Sequence, residues 1–173
     1  MTANIIQTAR LTLTPIEPSM LAELHDLFTN PSVRRYLLDD QCVAPEWTAD
    51  VIATSQQQFV ESNYGLWAVQ QAGYRPIIGV CGYFTFDQLQ LLYALLPNYW
   101  GQGFATEAAR AVIDYGFHRT NLTEIVAAAD LLNTASFGVM ERLGMTYQQA
   151  KGGVIYYQLP KSQPHSLWNE LTV

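Results

Sequence analysis

Ala105, Ala108, Ala109, Val112, Ile113, Gly116 and Phe117 recur at i, i+3, i+4, i+7, i+8, i+11 and i+12. That spacing traces one unbroken apolar stripe along a helix. It predicts a helix from Ala105 to Arg119, and the small residues at its start let it lie close against a sheet. Directly before it stands Trp100-Gly101-Gln102-Gly103-Phe104, preceded by the strand-like segment Gln90–Leu96, which Pro97-Asn98 ends. Any fold for this chain must therefore run from a strand through a two-glycine loop into a packed helix.

The flanking segments extend the pattern. Arg10-Leu11-Thr12-Leu13-Thr14 alternates and then meets Pro15, as a strand followed by a turn does. Ser19 suits the N-cap of a helix carrying Met20, Leu21, Leu24, Leu27 and Phe28. Asn30-Pro31-Ser32 breaks it, a short helix over Val33–Leu38 follows, and Pro45–Ser62 reads as a longer helix with Trp47, Val51, Ile52 and Phe59 on its apolar side. Tyr64–Gln70 and Pro76–Phe86 read as strands joined by a turn at Ala72-Gly73-Tyr74. Gly79 and Gly82 inside the second mark a bend or a close backbone approach. Beyond the stripe, Glu124–Ala129 is a short buried strand and Asn133–Leu143 a helix that Gly144 closes in a left-handed cap. Met145–Ala150 and Val154–Leu159 form a hairpin around Gly152-Gly153, and residues 160–173 make a polar tail carrying Leu167 and Trp168. The order β-α-α-β-β-β-α-β-α-β-β describes an α+β (mixed α/β) domain with a largely antiparallel sheet. A parallel pair is expected where the central helix crosses from Gln90–Leu96 to Glu124–Ala129.

The chain has 173 residues, enough for a single domain spanning 1–173. Hydrophobic residues make up 49% and charged residues 14%, which excludes disorder and predicts a packed interior. No apolar run approaches the ~20 residues of a membrane span, and Met1–Arg10 lacks the pattern of a secretory signal. Cys42 and Cys81 stand far apart, as bystander thiols in a reducing compartment do. A cytoplasmic protein is the expectation. The formal net charge of −6 repels nucleic-acid phosphates and mildly attracts cationic partners such as amines. An anionic ligand must then be held by local geometry. No zinc-binding spacing links His25, His118 and His165, so no metal is expected.

The glycine loop supplies that local geometry. Gly101 and Gly103 let backbone approach a ligand closely, and the first turn of the following helix leaves N–H groups unpaired at the positive end of its dipole. A diphosphate fits there without a lysine. A P-loop is excluded because Phe104-Ala105 follows Gly103 where Lys-Ser/Thr is required. A dinucleotide fingerprint is excluded because Thr106 occupies its third glycine position.

Tyr99-Trp100-Gly101-Gln102-Gly103-Phe104-Ala105-Thr106-Glu107-Ala108 resembles the acetyl-coenzyme A loop of the GNAT acetyltransferases, in particular their Rim-type branch, whose best-known members acetylate the N-termini of ribosomal proteins. Thr8–Leu13 resembles that branch's opening strand and Ile78–Tyr83 its third strand. Asp130–Ser136 followed by Glu141-Arg142-Leu143-Gly144-Met145 resembles its last core helix and cap. The likeness covers about residues 8–159. Trp100 stands where many members carry Gln or Arg, as the Rim-type branch often has it. Met140 stands where many members place a tyrosine acid.

The resemblance implies direct attack of an amine on the acetyl thioester. It implies that Trp100, Gly101, Gln102, Gly103, Phe104, Ala105 and Thr106 hold the coenzyme, chiefly through backbone N–H groups on its diphosphate. The strand Leu92–Leu96 would carry the pantetheine arm on its edge. A bulge near Tyr93 and Leu95 would aim an amide at the thioester oxygen. Asn133 is implied to bond the arm, although Asn is also a preferred N-cap. Ser136, one turn on, or a water would protonate the leaving thiolate. For the base, Asp39, Asp40, Tyr83 and Tyr93 are within reach of a cleft. Glu107 is set aside as a first-turn capping carboxylate. The acceptor is a protein or peptide N-terminus or a small amine, and both monomer and homodimer remain open. The alternatives are a non-catalytic module that binds a coenzyme A thioester and a structural domain whose glycine loop is only a tight turn.

The loop reading makes one prediction. Gly103→Val is expected to weaken coenzyme A binding in calorimetry while leaving the fold largely intact. Unchanged affinity would remove the loop from consideration.

Overall fold

A computed structural model describes residues 4–161. Leu167, Trp168 and His165, in the expected tail, lie outside the described residues. Eight strands and five α-helices are present among them: β1 Ile6–Gln7, β2 Leu11–Pro15, α1 Leu21–Thr29, α2 Pro31–Leu37, α3 Pro45–Ser62, β3 Leu66–Gln71, β4 Ile77–Thr85, β5 Leu89–Leu95, α4 Phe104–Arg119, β6 Glu124–Asp130, α5 Thr134–Arg142, β7 Thr146–Lys151 and β8 Val154–Pro160. The mixed α/β class holds; the element order gains a strand, β1, at its start and a third helix ahead of β3, and matches the expected sequence from β3 onward. No helix among the described residues is long and apolar enough to cross a membrane.

Strands β1 to β5 pair in sequence order as one antiparallel sheet, while β6, β8 and β7 form a second. The expected parallel ladder between β5 and β6 is not formed. The two strands adjoin, yet every ladder among the described residues is antiparallel. The sheets part there, leaving one edge of β5 facing a cleft. β1 went unread in the sequence, because two residues carry no period. It is fixed by its register with β2 and by the Trp67 indole, which donates to the Asn4 carbonyl at 2.6 Å.

β3 shows why the first sheet is covered on both sides. Leu66, Trp67, Ala68 and Val69 are all buried, so successive side chains enter opposite cores. Trp67 and Val69 join the core under α4, whereas Leu66 and Ala68 join the one under α1 and α3. On α4 the stripe is buried as predicted, with Ala108, Ala109, Val112, Ile113, Gly116 and Phe117 inside. Each large side chain there contributes about 1.5–3 kcal/mol of burial.

Ser19 is not a helix cap. It lies in a short 3₁₀ turn, Pro18–Met20, and its hydroxyl donates to Glu17, so α1 begins at Leu21 without a side-chain cap. Asn30 instead caps α2 by accepting from the Ser32 N–H. α5 ends as predicted: the Met145 N–H reaches Met140 O and the Gly144 N–H reaches Glu141 O, with Gly144 at φ 77°.

One contact sets the height of α4 above the sheet. The buried Tyr83 hydroxyl donates to the Val112 carbonyl at 3.0 Å, and a Cβ on Gly116 would overlap that hydroxyl and ring. Gly116→Ala is expected to lower stability by about 1–3 kcal/mol, as overpacking does, because Tyr83 cannot yield without losing its bond. Thermal denaturation checks this; an unchanged or raised midpoint would show that α4 can lift at no cost.

Candidate active site

The loop before α4 is shaped by two glycines in the left-handed region, Gly101 at φ 70° and Gly103 at φ 80°. Gly103 serves as the N-cap residue, and no side chain caps the first turn. The Glu107 N–H, bonded to Gly103 O at 3.0 Å, closes the first turn, so the amides of Phe104, Ala105 and Thr106 precede the helical ladder. A Cβ on Gly101 would meet nothing within 4 Å, so this backbone borders open space. Uncapped amides, bare backbone and the helix dipole fit a diphosphate.

The loop is braced from behind. The Glu107 carboxylate does not cap α4. It accepts from the Thr8 hydroxyl at 2.6 Å, the Arg10 N–H at 2.9 Å and the Arg10 Nε at 2.6 Å. Arg10 in turn donates through Nη1 to Gln102 O at 3.0 Å and lies over the Phe104 ring, 4.5 Å from its centroid. Burial works to raise the Glu107 carboxyl, yet the bonds from Thr8 and Arg10 outweigh it and hold the group below its ordinary range. The Gln102 side chain turns back to Asn98 O, leaving its backbone as its contribution to the loop.

A cleft of about 1100 Å³ runs from this loop between β5 and α5. Tyr93, Leu95, Trp100, Asn133 and Ser136 line it, as do Gly101, Gly103 and the first residues of α4. β5 is not bulged: its register with β4 is unbroken from Leu89↔Thr85 to Leu95↔Gly79. The parting from β6 does the work expected of a bulge. The Leu96 N–H bonds Ile78 O, so alternation turns the backbone groups of Tyr93 and Leu95 toward the cleft. The half-exposed Trp100 confirms that orientation, since its indole donates to Leu95 O at 2.7 Å.

Across the cleft, Asn133 caps α5, its Oδ1 accepting from the Ser136 N–H at 3.4 Å. The Tyr93 hydroxyl donates to the Ser136 carbonyl at 3.1 Å and bridges the two walls. Burial raises the Tyr93 phenol well above its ordinary value, so the side chain is a neutral strut and no base. Met140 is 1% exposed and belongs to the core, so that position offers no acid.

Of the other base candidates, Asp39 lines the cleft, Asp40 pairs with Arg34 at 2.9 Å and Tyr83 is locked in the core. His25 bonds Thr48 and His118 bonds Asp114. No group of His, Cys, Asp or Glu among the described residues could hold a metal. Sequence reasoning missed Asp87 and Asp130, which share the cleft with Asp39. Burial, then the charge of Asp39, raises the Asp130 carboxyl. Burial also works to raise Asp87, but bonds from Tyr156, Gln88 and Gln90 bring it below its usual range. No local motif marks either residue, because only the meeting of the two sheets puts them together.

Comparison with known proteins agrees with this geometry. Residues 10–146 match the acetyltransferase (GNAT) domain family. A Bacillus licheniformis protein named as an uncharacterized N-acetyltransferase, p20, is 29% identical over 161 residues, covering 87% of this chain and 90% of that one. The spermidine N(1)-acetyltransferase of Escherichia coli strain K12 is 27% identical over 141 residues, covering 79% and 73%. The structure of RimL, a ribosomal L7/L12 alpha-N-protein acetyltransferase in complex with coenzyme A, superposes with a TM-score of 0.76 at 19% identity, covering 91% of this chain and 98% of that one. The uncapped helix start, the open edge of β5 and the match over most of the chain agree, and the chain belongs to the GNAT family of acetyl-coenzyme A-dependent N-acetyltransferases.

Proposed function

We propose that this enzyme acetylates a primary amine that is cationic in water, by direct attack of the neutral amine on the thioester. The observation that carries this reading is the acidic lining of the cleft, to which Asp39, Asp87 and Asp130 all contribute and in which Asp39 and Asp130 lie close enough for their charges to interact. Three carboxylates suit an acceptor with more than one positive charge. The Escherichia coli relative is named for spermidine, which supports a small polyamine-like acceptor. The RimL neighbour is named for a protein N-terminus, which has a single ammonium. The carboxylates favour the first.

Acetyl-coenzyme A, when bound, supplies an acetyl group on a thioester. In our reading the amides of Gly103, Phe104, Ala105 and Thr106 hold its diphosphate, with Trp100, Gly101 and Gln102 shaping the approach. The β5 edge at Tyr93 and Leu95 offers backbone N–H groups to the arm and to the carbonyl oxygen, an oxyanion-hole role. Asn133 keeps its amide nitrogen for the arm, because its oxygen is used within the cap. The Ser136 hydroxyl gives its proton to the departing sulfur as the thioester bond breaks, and takes back the proton that the attacking nitrogen loses on becoming an amide. Asp130, with its raised carboxyl, takes the proton of the ammonium, directly or through a water. We place the reaction in the cytoplasm, consistent with the free thiols of Cys42 and Cys81.

Two measurements test this reading. Thiol release from acetyl-coenzyme A is expected with spermidine and to be slower with a peptide N-terminus; release with no amine tested would sink the proposal. Asp130→Asn is expected to lower kcat/KM for spermidine at least about tenfold without lowering the melting midpoint. The sign follows from the raised carboxyl: its ionised form at neutral pH disfavours the folded state, and only below the unfolded value, about 3.9, is its stabilisation complete. As a base it must be ionised, so the acid limb of kcat/KM lies above that ordinary value. A fall in activity matched by a fall in melting midpoint would assign Asp130 to structure.

A further inference from the structure

Arg142 is a cation inside the cleft that neither the loop nor the acceptor chemistry has used. It is the one basic side chain among the described residues that line the cavity. Arg10 and Arg34 are paired with Glu107 and Asp40, whereas Arg142 forms no ion pair among the described residues. Its Nε donates to the Thr106 hydroxyl at 3.4 Å, which places the guanidinium beside the first turn of α4 and its uncapped amides. Gly138, one turn earlier on α5, makes room for it: a Cβ there would lie 3.2 Å from Nη1. Arg142 is exposed, and a cation beside a positive helix end, with no carboxylate partner among the described residues, adds to a local field that attracts an anion. In a chain of net charge −6, that arrangement is local and directional.

We propose that Arg142 is a coenzyme-binding residue whose guanidinium clamps the diphosphate from the α5 side, opposite the amides of the glycine loop. This rests on the coenzyme reading above. The planar fork of an arginine suits two phosphate oxygens at once, and a lysine there would act only as a point charge. Asp39, Asp87 and Asp130 also line the cleft, so the cavity carries charge of both signs, one for the anionic cosubstrate and one for the cationic acceptor.

Calorimetry with coenzyme A and with 3′-dephospho-coenzyme A tests this on the full chain, using Arg142→Gln and Arg142→Lys. Arg142→Gln is expected to lose roughly tenfold in affinity for both ligands alike, the scale of a charge-assisted bond. Its affinity should depend less on salt, its unliganded melting midpoint should be unchanged, and Arg142→Lys should recover part of the loss. Equal affinity of wild type and Arg142→Gln would overturn the proposal. A loss confined to coenzyme A would also overturn it, by moving the guanidinium to the 3′-phosphate. So would a loss accompanied by a lower unliganded midpoint, which would make Arg142 a strut between α4 and α5. If the wild type bound neither ligand, the coenzyme reading itself would fail.

Discussion

Between β5 and β6 the backbone stops pairing, and the rest of the site depends on that interruption. Buried backbone groups demand partners, so an open strand edge inside a domain has to be met by something other than a neighbouring strand. Here the Trp100 indole takes the Leu95 carbonyl, and the Tyr93 hydroxyl spans to α5. The Tyr156 hydroxyl, from β8, reaches Asp87 at 3.1 Å, beyond the other end of β5. The bonds of Tyr93 and Tyr156 tie α5 and the second sheet to the first without closing the gap. The remaining amides on that edge face the cleft, where an arm that carries amides of its own can pair as a strand would.

The second requirement is that the start of α4 stay bare. A side-chain cap would satisfy the first-turn amides and take them from a ligand. Glu107, the one acidic residue of that turn, is drawn instead to the opening of β2 by Thr8 and Arg10. The same Arg10 holds the Gln102 carbonyl. One ion pair thus keeps a carboxylate away from the anion site and fixes the loop that forms it. Its side chains are partly exposed, so its worth lies in geometry more than in stability.

Much of this was legible in the sequence, and the reasons differ by residue. The helical stripe of α4, the Pro45 start of α3, the Gly144 cap and the Gly152-Gly153 turn are local signals, each decided by a few neighbouring residues. The glycine loop was legible because its chemistry is contained in one stretch of backbone. The missed features involve residues far apart in sequence. Glu107 read as a cap because its partners lie almost a hundred positions earlier. The parallel pair failed because a crossover helix predicts adjacency, and adjacency does not require a ladder. Tyr93 was rightly placed on the cleft, but its hydroxyl is committed to Ser136, which only α5 docking reveals.

Charge shows how local and global electrostatics separate. A net charge of −6 should repel a polyanionic cosubstrate, and across more than about a Debye length, ~8 Å, salt removes most of that effect. Within the cleft the nearest groups decide. Around the loop these are uncapped amides, a helix dipole and Arg142, which has no ion pair among the described residues; Asp39, Asp87 and Asp130 also line the wall. In the proposed reading, these carboxylates would draw the amine and the loop would draw the phosphates. The raised carboxyl of Asp130 costs some folding stability at neutral pH, and the fold tolerates it at the position we propose for proton uptake. The same sheet separation that exposes β5 therefore also brings unlike charges, Arg142 and the three carboxylates, to the wall of one cavity.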